Sequence, residues 1–204
     1  MEKNELELIQ QSMGLFMRLG IKSVTMDELS RQLGISKKTL YKFVSDKNEL
    51  VDKVLTYACD SDQTGIQKIC DLGLNAIDEA FEISKFVSDH IQNMHPSIMF
   101  DLQKYHAQAW NNFRTRKKEN ISECYVANME KGIKEGLYRD DLNIPVIVNY
   151  YVERFDIMFD EELFPRDKFS PSEIYRELFR YHIRGIATEK GIKVLIKKIK
   201  KESI

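Results

Sequence analysis

The stretch TMDELSRQLGISKKTLYKF, residues 25–43, decides how the rest of the chain is interpreted. It opens with Thr25 and has glutamate three positions later, the T-x-x-E pattern of a helix-capping box. Gly34 then interrupts the apolar periodicity, and Ser36 can cap a second short helix. Together with a preceding helix that ends at Gly20, these two short helices are expected to form a helix-turn-helix.

The second of these short helices is predicted to present a basic face to solvent. If Leu40 points to the core, a rotation of about 100° per residue puts Lys38 and Lys42 on the opposite side. Side chains of this composition suit a helix lying in the major groove of double-stranded DNA, where lysines meet phosphates or guanine edges. The candidate outward residues of this helix are Lys37, Lys38, Thr39, Tyr41 and Lys42.

The positive charge is local. Residues 20–47 carry a net charge of +3, whereas the 204-residue chain totals -1. A lysine-rich helix face usually does no more than contact solvent. Here, however, the helix cap, the glycine turn and the basic side all indicate the same structure, a DNA-binding helix-turn-helix. We therefore expect DNA binding through this segment and no general attraction of the chain to polyanions.

Composition and periodicity predict an all-α protein. Hydrophobic residues at 43% and charged residues at 31% suit a globular chain, and few glycines or prolines argue against a turn-rich β fold. Further helices are predicted near 75–94, 97–105, 107–135, 144–160 and 171–188. A helix-turn-helix domain at residues 1–46 is expected to precede a larger helical domain at residues 47–204. The sequence shows no signal peptide or membrane span, so we expect a cytoplasmic protein.

The block SVTMDELSRQLGISKKTLYKFVSDKNEL, residues 23–50, resembles the N-terminal module of TetR/AcrR-type transcriptional regulators. That pattern has a threonine cap, Leu-x-x-x-Leu-Gly-Ile-Ser across the turn, Leu-Tyr in the recognition helix, and Lys followed by Leu in the next helix. The rest of the chain resembles the family only in length and helical character. The matching residues are Thr25, Leu29, Leu33, Gly34, Ile35, Ser36, Leu40, Tyr41, Lys47 and Leu50.

The resemblance implies a homodimer that binds a near-palindromic DNA operator, with ligand binding and dimerisation in the C-terminal domain. A small-molecule effector there would shift the two recognition helices. It also implies phosphate contacts from Thr25, Tyr41 and Lys47. The start of the helix after residue 46 itself favours a phosphate, because a helix N-terminus is partly positive. Base or phosphate contacts are implied for Lys37, Lys38, Thr39 and Lys42.

The predicted helices at 144–160 and 171–188 are apolar on more than one side, so each needs more than one packing partner. The resemblance places the dimer bundle in these helices, and a glycine in the second would allow close approach. A purely internal core would also explain the broad apolar faces. The candidate interface residues are Ile147, Tyr151, Phe155, Ile174, Leu178, Tyr181 and Gly185.

Aromatic residues, methionines and histidines concentrate between residues 85 and 113 and predict a mostly apolar ligand cavity. Plain core is the competing interpretation for each of them. The candidate ligand contacts are Phe86, His90, Met94, Tyr105, Trp110 and Phe113.

The spacing of potential ligands does not favour a metal site, and no cofactor is expected. His90 and His95 lie about 140° apart around a helix and Pro96 follows, while Gly65 separates the nearest cysteine pair. No nucleophile elbow, phosphate loop or H-E-x-x-H helix points to an enzyme. We interpret the chain as a repressor released by a small apolar ligand. The alternatives are a DNA-binding adaptor whose C-terminal body binds a protein partner, and a helical enzyme.

Overall fold

The computed structural model of the chain describes residues 3–202, apart from the side chains at positions 3, 154, 155, 201 and 202. In this range the regular elements are helices, and the only strand-like pairing is an isolated bridge between Tyr138 and Ala187. The all-α prediction is confirmed, and the predicted helices of the body end within a few residues of the observed ones. The helices are α1 Lys3–Leu19, α2 Met26–Gln32, α3 Lys37–Leu40, α4 Lys47–Cys70, α5 Ala76–Gln92, α6 Ile98–Tyr105, α7 Ala107–Lys134, α8 Ile144–Ile157, α9 Pro171–Ile186 and α10 Glu189–Glu202.

The helices form two compact units. The first contains the chain up to Thr64 together with Asn93–Lys117, and the second contains Gly65–Gln92 together with the chain from Lys118 onward. Both α4 and α7 therefore contribute residues to each unit. This division follows packing, whereas the predicted boundary after residue 46 divides the chain by function and stays a prediction.

The caps of the first unit follow the local sequence. Thr25 Oγ1 accepts a hydrogen bond from the backbone N–H of Glu28 at 3.1 Å, and Ser36 Oγ accepts one from that of Thr39 at 3.0 Å. Gly34 has a φ of 64°, the left-handed conformation that ends α2. The expected capping box is only half formed, because the carboxylate of Glu28 binds Arg31 and a glutamine of its own helix instead of returning to Thr25.

The start of α4 is fixed by a reciprocal pair of caps. Asp46 Oδ1 accepts from the backbone N–H of Glu49 at 2.9 Å, and Glu49 Oε2 accepts from both the backbone N–H and the hydroxyl of Ser45 at 2.7 Å. These hydrogen bonds from Ser45, together with Lys53, lower the pKa of Glu49 to about 2. Leu29 of α2, Leu40 of α3 and Leu50 of α4 are fully buried, so each of these helices contributes an apolar side chain to the interior of the first unit.

The second unit has its own core, in which α9 and α10 both pack against α5. The buried carboxylate of Glu79 accepts hydrogen bonds from Asn128 at 2.8 Å and from Lys131 at 2.6 Å, so its charge is compensated. In α10, Lys198 Nζ reaches Glu82 Oε1 at 2.7 Å. The buried core residues are Ala76, Ile77, Leu137, Tyr138, Phe179, Ile183, Ile186, Ala187 and Leu195.

Candidate nucleic-acid interface

The helix α3 ends at Leu40, so Tyr41 and Lys42 follow it in a turn instead of continuing the predicted helix, and Thr39 is half-buried. Leu40 is fully buried, while Lys38 and Lys42 are exposed and Tyr41 is 48% exposed. The Nζ atom of Lys37 lies 2.6 Å from Asp27 Oδ1, but both side chains are more than half exposed, so water and salt weaken this pair. The surface around α3 can therefore offer three ammonium groups and a phenol to an anionic partner.

Thr25 lies at the start of α2, where it acts as the cap of this helix. It is exposed, and its Oγ1 already accepts the capping hydrogen bond from the backbone N–H of Glu28. A hydroxyl that accepts at oxygen keeps its proton for a second bond. The predicted phosphate contact from Thr25 is thus compatible with its role as a cap, and stays a prediction.

Lys47 is engaged within the protein. Its ammonium group donates to the backbone carbonyl of Ile21 at 2.6 Å and lies 3.5 Å from that of Lys22. Burial lowers the pKa of Lys47, although the nearby Asp101 acts in the opposite direction. The phosphate contact predicted for Lys47 would require this ammonium group to be shared with, or released from, the connection between α1 and α2.

The candidate ligand contacts divide between the two units. In the first unit, Trp110 is 8% exposed and stacks on Phe113 with a centroid distance of 5.9 Å. Tyr105 is 41% exposed, with the ammonium group of Lys22 5.0 Å from its ring centroid. Met94 is half-buried in the same unit. The remaining two candidates, Phe86 and His90, belong to the second unit and meet edge to face at 4.4 Å.

Several candidate interface residues are buried within the chain itself. Tyr151 is 4% exposed, and its ring lies 4.1 Å from that of His182. Ile174 is 6% exposed, and Ile147 packs against the core of the second unit. The side chain of Phe155 lies outside the described residues. The apolar stripe chosen from the sequence of α8 thus faces mainly inward.

Other side chains of α8 and α9 remain exposed. On α9, Tyr181 is 77% exposed, Leu178 is partly buried, and an added Cβ at Gly185 would meet nothing within 4 Å. On α8, Val146 is 60% exposed and Tyr150 is 70% exposed. The spacing of these two residues by one helical turn was the available signal, but periodicity alone does not tell which stripe faces solvent.

Residues 8–54, which include the whole helix-turn-helix, match the family model of bacterial regulatory proteins of the tetR family. This part of the chain therefore forms a TetR-type DNA-binding domain. The domain match and the relatives described next identify the chain as a DNA-binding transcriptional regulator, with α3 as its candidate recognition helix.

The similarity to known regulators extends over most of the chain. The chain is 23% identical over 175 residues to the HTH-type transcriptional regulator YvaF of Bacillus subtilis, covering 82% of this chain and 87% of that protein. It is 20% identical over 147 residues to the HTH-type transcriptional repressor KstR2 of Mycobacterium tuberculosis, covering 71% and 74% of the two chains.

Solved structures show the same fold. A transcriptional regulator from Cytophaga hutchinsonii aligns with a TM-score of 0.70 at 17% identity, covering 92% of this chain and 100% of the other. The structure of the ketosteroid regulator KstR2 of Mycobacterium tuberculosis aligns with a TM-score of 0.52 at 18% identity, covering 93% and 97%. In the described range, no helix combines the length and hydropathy of a bilayer-spanning segment. Nor do three or more His, Cys, Asp or Glu side chains of this range cluster as metal ligands would.

Asp101 of α6 holds the connection between α1 and α2, and sequence reasoning missed it. It is 3% exposed, and its Oδ2 accepts from the backbone N–H of Lys22 at 2.9 Å and from the hydroxyl of Ser97 at 3.0 Å. The available signal was an aspartate on the same helical face as Ile98 and Leu102, both buried. Asp101 therefore positions the segment that leads into α2.

We expect Asp101→Asn to lower the free energy of unfolding by about 1–3 kcal/mol, because a neutral amide oxygen accepts the hydrogen bonds from Lys22 and Ser97 more weakly than the charged carboxylate oxygen does. Urea unfolding followed by circular dichroism measures the change. Asp140→Asn, at an exposed position, is the matched control and should leave the midpoint where it is. Equal midpoints for both variants would show that Asp101 does not stabilise this connection.

Proposed function

We propose that this regulator is a repressor that binds a near-palindromic operator as a homodimer and is released by a small, mostly apolar ligand. The observation that carries the proposal is the exposed group of Lys37, Lys38, Tyr41 and Lys42 outside the buried Leu40. A relative of similar length is named a repressor, which supports the same direction of control. Binding to the chromosome places the protein in the cytoplasm.

Dimerisation follows from the small size of the recognition surface. The helix α3 spans only Lys37–Leu40, so one copy can contact few base pairs, and two copies are needed for tight specific binding. The exposed side chains of Val146, Tyr150 and Tyr181 on α8 and α9 support a dimer face built from these two helices. In the DNA complex the two recognition helices should lie about 34–36 Å apart, which is one turn of DNA.

The DNA sequence itself tests this part of the proposal. Selection of bound duplexes from random-sequence DNA should yield inverted repeats, with the two half-sites spaced by about one helical turn. Direct repeats or single half-sites bound with full affinity would contradict a two-fold dimer.

Release by a ligand requires coupling between the effector and the DNA-binding residues. The helix α4 is continuous from Lys47 to Cys70, so it links the end of the helix-turn-helix to the proposed effector domain at residues 47–204. A ligand that binds more tightly to the arrangement unsuited to DNA weakens DNA binding by its differential affinity. A coupling of about 1–3 kcal/mol corresponds to roughly 5–150-fold weaker binding.

Trp110 supplies the measurement for this step. It is the single tryptophan of the chain and is mostly buried against Phe113, so we expect its emission to change when an apolar ligand fills its surroundings. A panel of apolar metabolites is screened by tryptophan fluorescence, and the hits are then added to protein–DNA complexes. Hits that change the emission of Trp110 but leave DNA affinity unaltered would refute the release mechanism, though not DNA binding.

A further inference from the structure

An open polar cleft of about 370 Å³ lies in the first unit, where the beginning of α4 faces the junction of α6 and α7. Its volume falls in the range of pockets for small molecules. Only one of its residues, Tyr105, belongs to the candidate effector contacts, so the cleft is not the proposed apolar site. The lining residues are Asn48, Glu49, Asp52, Tyr105, His106, Ala107, Gln108, Ala109 and Asn112.

The two carboxylates of the lining differ in how their charges are compensated. Glu49 is hydrogen bonded to Ser45 and lies 3.2 Å from the ammonium group of Lys53. Asp52 accepts a single long hydrogen bond, 3.3 Å from Asn112 Nδ2, and forms no ion pair with any described residue. Since the lining residues include neither lysine nor arginine, the charge of Asp52 is left without a cationic partner in the cleft.

A nearly buried histidine adds a second acceptor to the wall. His106 is 9% exposed, and its Nδ1 lies 2.6 Å from the amide oxygen of Asn48. Because that oxygen can only accept, Nδ1 carries the proton. Burial, and next the charge of Lys47, lowers the pKa of His106, which favours the neutral ring with a lone pair on Nε2. Nothing in the described part of the chain donates to Nε2.

These groups select a ligand by charge and by hydrogen bonding. A carboxylate and a bare imidazole nitrogen accept but do not donate, and an ammonium ion donates three hydrogen bonds and accepts none. We propose that this cleft binds a small organic ammonium ion, held by Asp52 and by the acceptors beside it. The site is distinct from the apolar effector site of the proposed function and does not depend on it.

Three probes of equal chain length test the proposal on the intact protein without DNA. Putrescine, the diol of the same four-carbon chain, and succinate are titrated by calorimetry at physiological ionic strength. We expect saturable binding of putrescine and at least about tenfold weaker binding of the diol, because a charge-assisted hydrogen bond is the stronger kind. Succinate should not bind. No saturation by putrescine, or equal binding of the diol, would overturn the proposal.

Matched variants locate the site. Asp52→Asn keeps the shape of the side chain but removes its charge, and should weaken putrescine binding by about tenfold or more. Asp71→Asn removes the same charge from an exposed position outside the cleft and should leave binding unchanged. Equal affinities of Asp52→Asn and the unaltered protein would place putrescine elsewhere and refute the site. The probe series on the unaltered protein decides the question independently if Asp52→Asn folds poorly.

Discussion

Replacing Lys38 and Lys42 together by alanine is expected to weaken operator binding by on the order of a hundredfold or more. Each lost contact to a base or phosphate costs about 1–3 kcal/mol, and a dimer loses both from each copy. The slope of log affinity against log salt should flatten as well, by about 0.9 for each phosphate contact removed. Stability should be preserved, because both side chains are exposed and contribute nothing to the core beneath Leu40.

The affinity is measured with a duplex selected by the unaltered protein, over a series of salt concentrations. Lys193→Ala with Lys197→Ala is the matched control, since it removes two exposed lysines of α10 and changes the net charge equally. The control should bind nearly as well as the unaltered protein. Equal losses in both double variants would mean that overall charge, and not the surface around α3, determines DNA binding.

Replacing Tyr150 and Tyr181 together by glutamate is expected to convert the proposed dimer into monomers. The two side chains are 70% and 77% exposed in the single chain, so the change should leave each copy folded. In a dimer built on α8 and α9 these positions would be desolvated, and burying four unpaired carboxylates costs far more than an interface of this kind gains. DNA affinity should fall with dimerisation, because one copy engages only one half-site.

Light scattering gives the mass in solution, and circular dichroism confirms the helix content. The matched control is Leu72→Glu with Phe100→Glu, which places the same charges at exposed apolar positions outside α8 and α9. It should remain dimeric. A dimeric mass for the Tyr150 and Tyr181 variant would exclude this face as the interface, even if DNA binding by α3 stands.

The sequence by itself determined the helix-turn-helix and the direction of its side chains. The caps at Thr25 and Ser36 and the turn at Gly34 depend on interactions within a few residues, so the local order of residue types is enough to predict them. Helical periodicity located the later helices for the same reason. The exposed position of Lys38 then follows from the fixed rotation per residue.

Only the tertiary structure decided which residues that are distant in the sequence contact one another. Lys47 bonds to a carbonyl 26 residues away, and Asp101 binds a backbone N–H 79 residues away. Neither contact can be predicted from local periodicity, because each depends on how distant helices pack together. The same holds for α8, where periodicity revealed apolar stripes but packing decided that Tyr151 lies inward and Tyr150 faces solvent. An apolar stripe is buried only where a neighbouring helix covers it, and otherwise it stays exposed. Which helix becomes the neighbour depends on the packing of the whole chain.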